Sequence, residues 1–266
     1  MKVTAAEIWN SLTELRRRSP LVHNITNYVV MNNTANALLA LGASPVMAHA
    51  LEEVEEMVDI ADALVLNIGT LSKHWVDAMF KAAQRARERG IPVILDPVGA
   101  GATTYRTGTS HRLIRSVPPS IIRGNASEIL ALGHKEGNTK GVDSADSSVN
   151  TIACAQSLNR TLGSVICVSG ATDYIISGND MVEIRNGHPM MQRVTGLGCT
   201  ASALCGAFAA TEDNASAAAH AMALMGIAGE MAAEKAEGPA SLQSRFIDIL
   251  YSITESDIGK NLKQEG

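Results

Sequence analysis

Apolar and polar positions along the 266-residue chain follow two periods, one suited to helices and one to buried strands. Val30, Thr34, Ala37, Leu38 and Leu41 fall on one helical face, and Gly42 follows where a left-handed C′ residue belongs. Ser44–Ala48 reads as a short buried strand, Leu51–Asp59 as a helix acidic on its outer side, and Ala63–Ile68 as a strand ending at Asn67, Gly69 and Thr70. Lys73–Arg89 predicts a helix with Trp75, Met79, Ala82 and Ala86 facing inward and Gly90 closing it. Ile91–Asp96 is a strand, with Pro92 near its first position, where a missing donor is tolerated.

Pro97–Thr104 is a glycine-rich loop, Ser120–Arg123 a strand and Ala126–Leu132 a short helix. His134–Ser148 is polar and reads as a surface insertion, followed by a helix at Asn150–Leu162 and a strand at Ser164–Ser169. Tyr174–Ser177 and Met181–Arg185 flank Gly178, Asn179 and Asp180, a hairpin with a three-residue loop. From Cys199 to about Thr254 the pattern is almost wholly helical, and the tail Gly259–Gly266 is expected to be mobile. Strands that are continuous apolar runs and alternate with helices indicate an α/β chain with a mostly parallel central sheet covered on both faces. No linker or repeat divides the chain, so residues 1–266 are expected to form a single three-layer α/β/α domain.

Composition narrows the function classes. A net charge of −5 without a basic block, and 3% aromatic residues, argue against a nucleic-acid partner. No membrane span is expected, since stretches such as Ala63–Leu66 are far too short, and Met1–Asn10 lacks the layout of a secretion signal. Cys154, Cys167, Cys199 and Cys205 form no zinc-type spacing, and the simple reading is reduced thiols in the cytoplasm.

In open α/β sheets ligands collect beyond the carboxyl ends of the strands. Four polar or glycine-rich clusters stand there: Asn67–Thr70, Asp96–Gly101, Arg123–Asn125 and Ser169–Thr172. Each alone is equally readable as a turn. The sharpest cluster is Thr195-Gly196-Leu197-Gly198-Cys199, ahead of a helix. Its glycines let backbone N–H groups converge, and a helix N-terminus favours negative charge, so a phosphoryl group in transfer would be stabilised there. Neither GxxxxGK[ST] nor a complete GxGxxG is present.

Asp96 and Glu128 are candidate Mg²⁺ ligands, or else a turn cap and a first-turn helix residue. Cys199 is either a small packing residue or a thiol whose pKa the helix N-terminus lowers from about 8.5, able to accept a proton. His23 precedes the polar run Asn24–Asn27, which either lines a site or supplies the cap of the following helix. His49, His188 and His220 read as surface or structural residues.

The stretches PLVHNITN (Pro20–Asn27), LGASPVMA (Leu41–Ala48), LVLNIGTL (Leu64–Leu71), LDPVGAGAT (Leu95–Thr103), IRGNASE (Ile122–Glu128) and VTGLGCT (Val194–Thr200) resemble those of the hydroxyethylthiazole kinases, in the family's order, over most of residues 20–206. The resemblance implies a ribokinase-like fold without the lid of sugar kinases, and phosphorylation of 4-methyl-5-(2-hydroxyethyl)thiazole with ATP and Mg²⁺ in thiamine salvage. It implies that Asn27, Met47, Gly69 and Thr70 contact the thiazole alcohol, with Gly196 at the substrate end of the anion hole. Arg123 and Ser169 would bind ATP, and Asp96 and Glu128 would organise Mg²⁺. Cys199 stands where the wider group carries a catalytic Asp, which implies assistance rather than an absolute requirement. The family is typically homotrimeric, with thiazole sites between subunits. The polar segment 134–150 and Asn24, where some relatives have Cys, are mild departures.

Three other functions share parts of this pattern. One is a kinase for another small alcohol, such as a hydroxymethylpyrimidine or pyridoxal. Another is the dehydratase of hydrated NAD(P)H, which Cys199 in place of Asp disfavours. The third is a non-catalytic nucleotide sensor, which the intact anion turn and carboxylates disfavour. Fold alone separates none of them.

Overall fold

A capping box begins the first element. The Thr4 amide donates to Glu7 Oε2 at 2.8 Å and the Glu7 amide donates to Thr4 Oγ1 at 3.2 Å, starting α1 (Ala5–Arg18). The computed structural model describes residues 3–133 and 147–265. After α1 come β1 (Leu21–Ile25), α2 (Met31–Leu41), β2 (Ser44–Val46), α3 (Val54–Ile60), β3 (Ala63–Asn67), α4 (Lys73–Arg89) and β4 (Val93–Asp96). Then follow α5 (Thr104–Ser116), β5 (Ile121–Asn125), α6 (Ala126–Gly133), α7 (Ser147–Leu162), β6 (Val165–Ser169), β7 (Asp173–Ser177) and β8 (Asp180–Ile184). A 3₁₀ turn at Pro189–Arg193 leads into α8 (Leu197–Ala209), α9 (Asn214–Glu234), α10 (Pro239–Ser252), α11 (Glu255–Asn261) and β9 (Gln264–Glu265).

The described strands form one sheet in the order β2-β1-β3-β4-β5-β6-β7-β8-β9. Pairings from β2 through β6 are parallel, and β7, β8 and β9 add antiparallel strands at one side. Side chains alternate between two cores. Val65, Ile94, Ile121, Val165 and Cys167 pack with α1, α2, α8, α9 and α10. Leu64, Leu66, Leu95, Ile122, Ile166 and Val168 pack with α3 to α7. Both faces are covered, which is why these strands read as unbroken apolar runs. The three-layer α/β/α expectation is met, and no described helix is long and apolar enough to cross a membrane.

The structure corrects the sequence expectations at several places. β2 is an edge strand of half-buried residues, not a buried one. β1 is a strand the polar run concealed: His23 and Asn24 are buried in it, with His23 Nε2 2.8 Å from the Ala48 carbonyl and Asn24 Nδ2 donating to the Val22 carbonyl at 2.8 Å. α1 and α5 were not anticipated. Ser177 pairs with Asp180, so the hairpin loop has two residues, Gly178 and Asn179, with Gly178 at φ 60°. The tail is held rather than loose: Asn186 Oδ1 accepts the Lys263 amide at 2.8 Å, and Glu183 and Ile184 pair with β9. The predicted insertion lies mostly outside the described residues, which resume at residue 147.

Candidate active site

Parallel strands end at one edge of the sheet, and each of five brings a polar group there. Asn67 and Asp96, the last residues of β3 and β4, are register partners. Asn67 Nδ2 donates to Asp96 Oδ2 at 2.8 Å, while Asn67 Oδ1 accepts from Asn27 Nδ2 and from the Gly69 amide, both at 2.9 Å. Asn27 follows β1 and is buried, as are Asn67 and Asp96. It therefore lines this edge and does not cap α2, whose N-cap position is Val30, without a side-chain cap. From α8, Ser202 Oγ adds a second bond to Asp96 Oδ2 at 2.8 Å. Burial pushes the Asp96 carboxyl up to about 6, while Arg123 and Ser202 pull the other way.

Glycine is required at two points of this edge. A Cβ on Gly69 would overlap the side chain of Asn27. At Gly196, φ is 87° and a Cβ would come within 2.7 Å of Val30 Cγ1. Gly196 is the N-cap of α8 and makes no side-chain cap, so the first-turn amides keep their capacity to bind an anion.

Arg123 lies against that turn. A Cβ on Gly198 would sit 3.0 Å from Arg123 Nη1, and Arg123 Nη2 donates to Ser169 Oγ at 2.7 Å. Ser169 Oγ in turn lies 3.3 Å from the Gly124 carbonyl. Asn125 and Ser169, the ends of β5 and β6, are register partners. Burial works to lower the Arg123 pKa, but Asp96, Cys167 and Asp173 outweigh it and hold it above the usual value. The buried Nε of Arg123 has no hydrogen-bond partner among the described residues, which leaves a donor beside the anion turn. Asp173, at the start of β7, is buried and accepts the Gly170 amide at 2.9 Å.

Glu128 is buried on α6, with Oε1 accepting the Gly99 amide and Oε2 the Asn125 amide, each at 2.8 Å. It repels the Asp96 charge. No group of three or more His, Cys, Asp or Glu suited to a metal occurs among the described residues. Two carboxylates of hard oxygen, without a third protein ligand, fit an Mg²⁺ ion that keeps waters and phosphate oxygens, and do not fit a closed zinc cage.

Cys199 is the third residue of α8, with Sγ 3.6 Å from Asn27 Nδ2. The expectation of a lowered thiol pKa is overturned. Burial, with the Asp96 charge added, pushes it up to about 11, against hydrogen bonds from Asn67 and Asn27. A helix end favours the thiolate only where the sulfur stays solvated enough to carry charge.

Asn27, Gly69, Asp96, Arg123, Glu128, Ser169, Gly196 and Cys199 thus gather at one edge. Met47, half-buried just beyond β2, and exposed Thr70 make no hydrogen bond to this network among the described residues. Sequence reasoning placed Asn67 in a strand-end cluster without giving it a role, and it missed Ser202. Asn67 had a signal, as the polar end of an apolar strand, whereas Ser202 looked like a small packing residue.

The profile of the "Hydroxyethylthiazole kinase family" matches residues 12–256. A relative from Syntrophus aciditrophicus named "Hydroxyethylthiazole kinase" is 63% identical over 265 residues, covering 99% of this chain and 98% of that protein. The solved structure of a hydroxyethylthiazole kinase protein from Pyrococcus horikoshii OT3 is 44% identical with a TM-score of 0.91, covering 97% of this chain and 98% of that one. A ribokinase-like superfamily protein from Enterococcus faecalis V583, at 14% identity and a TM-score of 0.65 over 96% of this chain and 90% of that one, shares the fold.

Proposed function

The chain belongs to the hydroxyethylthiazole kinase family, and we propose that it transfers the γ-phosphoryl group of ATP to the hydroxyl of 4-methyl-5-(2-hydroxyethyl)thiazole, yielding the monophosphate and ADP. One observation carries this reading. The uncapped N-terminus of α8, with the Arg123 guanidinium packed on Gly198, adjoins the buried Asn27–Asn67–Asp96 chain. An anion site next to oriented side-chain amides is what phosphoryl transfer to a small neutral alcohol needs.

In this reading the first-turn amides of α8 and Arg123 hold phosphate oxygens, and Ser169 fixes the guanidinium for ATP. Asn27, Gly69 and Thr70 bound the thiazole on the β1 and β3 side, with Gly196 at the substrate end of the anion turn. Met47 adds an apolar contact from the sheet edge. Asp96 and Glu128 would hold Mg²⁺, which would offset charge on the phosphate oxygens.

Cys199 stands beside the reacting hydroxyl as an auxiliary proton acceptor. A thiol titrating at about 11 carries on the order of one thiolate in ten thousand at pH 7. Its help is therefore small, and a loose transition state makes little demand for a base.

A homotrimer with thiazole sites between subunits accords with Tyr28 and Val29, exposed beside Asn27, and with the edge position of β2. A sedimentation mass of three chains checks it, and a monomer mass would refute it. The free thiols suit a cytoplasmic setting, which fractionation of the source cells would test. For the reaction itself, the purified protein is incubated with the thiazole alcohol, ATP and Mg²⁺. Stoichiometric ADP and a product heavier by one phosphoryl group support the proposal, and ADP without that product contradicts it.

A further inference from the structure

We propose that Arg106 is a positioning residue that sets the spacing between the thiazole-side loop and the carboxylate-side loop of the site. The inference rests on the kinase reading. Arg106 belongs to the first turn of α5, outside every motif that the sequence singles out. Its Nη1 donates to the Ile68 carbonyl at 2.9 Å and to the Val98 carbonyl at 2.7 Å, and Nη2 donates to the Gly69 carbonyl at 2.7 Å. One guanidinium therefore joins the segment after β3 to the segment after β4.

Both segments lead into the site. Gly69 gives its amide to Asn67 Oδ1, and Gly99, next to Val98, gives its amide to Glu128 Oε1 at 2.8 Å. The stem of Arg106 packs under Gly99, which has φ 72° and whose Cβ would lie 3.2 Å from Arg106 Cδ. A shift of Arg106 would move the Gly69 carbonyl and the Gly99 amide together. Arg106 forms no ion pair among the described residues, so its charge serves these carbonyls rather than a carboxylate. Only a planar fork reaches three carbonyls on two segments, and a lysine ammonium is a point donor on a flexible stem.

The test compares Arg106→Lys and Arg106→Ala with the wild-type full chain. Hydrogen exchange of the amides in residues 66–71 and 98–101 is read first, because it needs no activity. Exchange should rise in those two segments and stay unchanged elsewhere. For both variants kcat/KM for the thiazole should fall by about 100-fold, a loss that a misplacement of about 1 Å can cause. Guanidinium ions should restore part of the loss in Arg106→Ala, and ammonium ions should not. A wild-type kcat/KM in Arg106→Lys, or exchange that rises evenly along the chain, would overturn the proposal. A wild-type protein that makes no thiazole phosphate sinks the kinase reading, and the exchange pattern still judges the clamp.

Discussion

Asn67 and Asp96 sit side by side on β3 and β4, and the 2.8 Å bond between them fixes both carboxamide and carboxylate. Asn67 can do this while accepting from Asn27 and Gly69 because one amide offers both donors and acceptors. Asn67→Ala removes the shared partner and leaves buried polar groups unpaired, at a cost of about 1–3 kcal/mol. Thermal unfolding should show that loss, together with a kcat well below wild type. Unchanged stability and rate would mean that water replaces the amide without consequence.

Gly69→Ala addresses the thiazole side alone. The added methyl overlaps Asn27 and must displace it. Overpacking of this kind costs about 1–3 kcal/mol of stability, and the displaced Asn27 should raise KM for the thiazole, with KM for ATP preserved. Equal rises in both KM values would place Gly69 outside the substrate pocket.

Arg123→Ala should weaken ATP far more than the thiazole, because it deletes the guanidinium packed on the anion turn. Ser169→Ala should do the same to a smaller degree, since it removes one 2.7 Å bond that orients Arg123. Charge-assisted bonds of this type are worth about 1.5–3 kcal/mol. Titration of both ligands by calorimetry checks it, and loss of thiazole affinity with ATP affinity intact would reverse the assignment.

Cys199 gives a pH prediction with a definite sign. The groups acting on the sulfur are Asp96, Arg123, Asn27 and Asn67, and burial dominates, so the thiol stays protonated well above neutrality. Alkylation of Cys199, followed by peptide mass in chelator-treated protein, should be slow at pH 7 and accelerate about tenfold per pH unit toward 11. Cys199→Ser should keep kcat within about tenfold, below the usual range of general-base help. A plateau of reactivity near pH 7 would show a populated thiolate and restore a proton acceptor matched to neutral pH.

What was legible in the sequence follows from physics. Leu64–Leu66 and Val93–Leu95 read correctly because burial on both faces demands unbroken apolar runs. The turn at Gly196 read correctly because it needs a left-handed residue with no side chain. β1 was hidden, since His23 and Asn24 are buried with backbone carbonyl partners, Ala48 for His23 and Val22 for Asn24, that no periodicity reveals. α5 was hidden because Thr104–Thr109 holds three threonines and a glycine, all poor helix formers. Arg106 acts through carbonyls up to 38 residues away in sequence, and backbone acceptors leave no trace in residue type. The Cys199 error has the same origin: a helix end is local and readable, whereas desolvation beside Asp96 exists only in the fold.

The most direct measurement is a competition. Equal concentrations of 4-methyl-5-(2-hydroxyethyl)thiazole, hydroxymethylpyrimidine and pyridoxal are incubated with the protein, limiting ATP and Mg²⁺, and the phosphorylated products are separated by mass. The account predicts thiazole monophosphate as the dominant product, with its yield lost in Arg123→Ala at the same limiting ATP. A dominant pyrimidine or pyridoxal phosphate, or no phosphorylated product from any of the three, would contradict it.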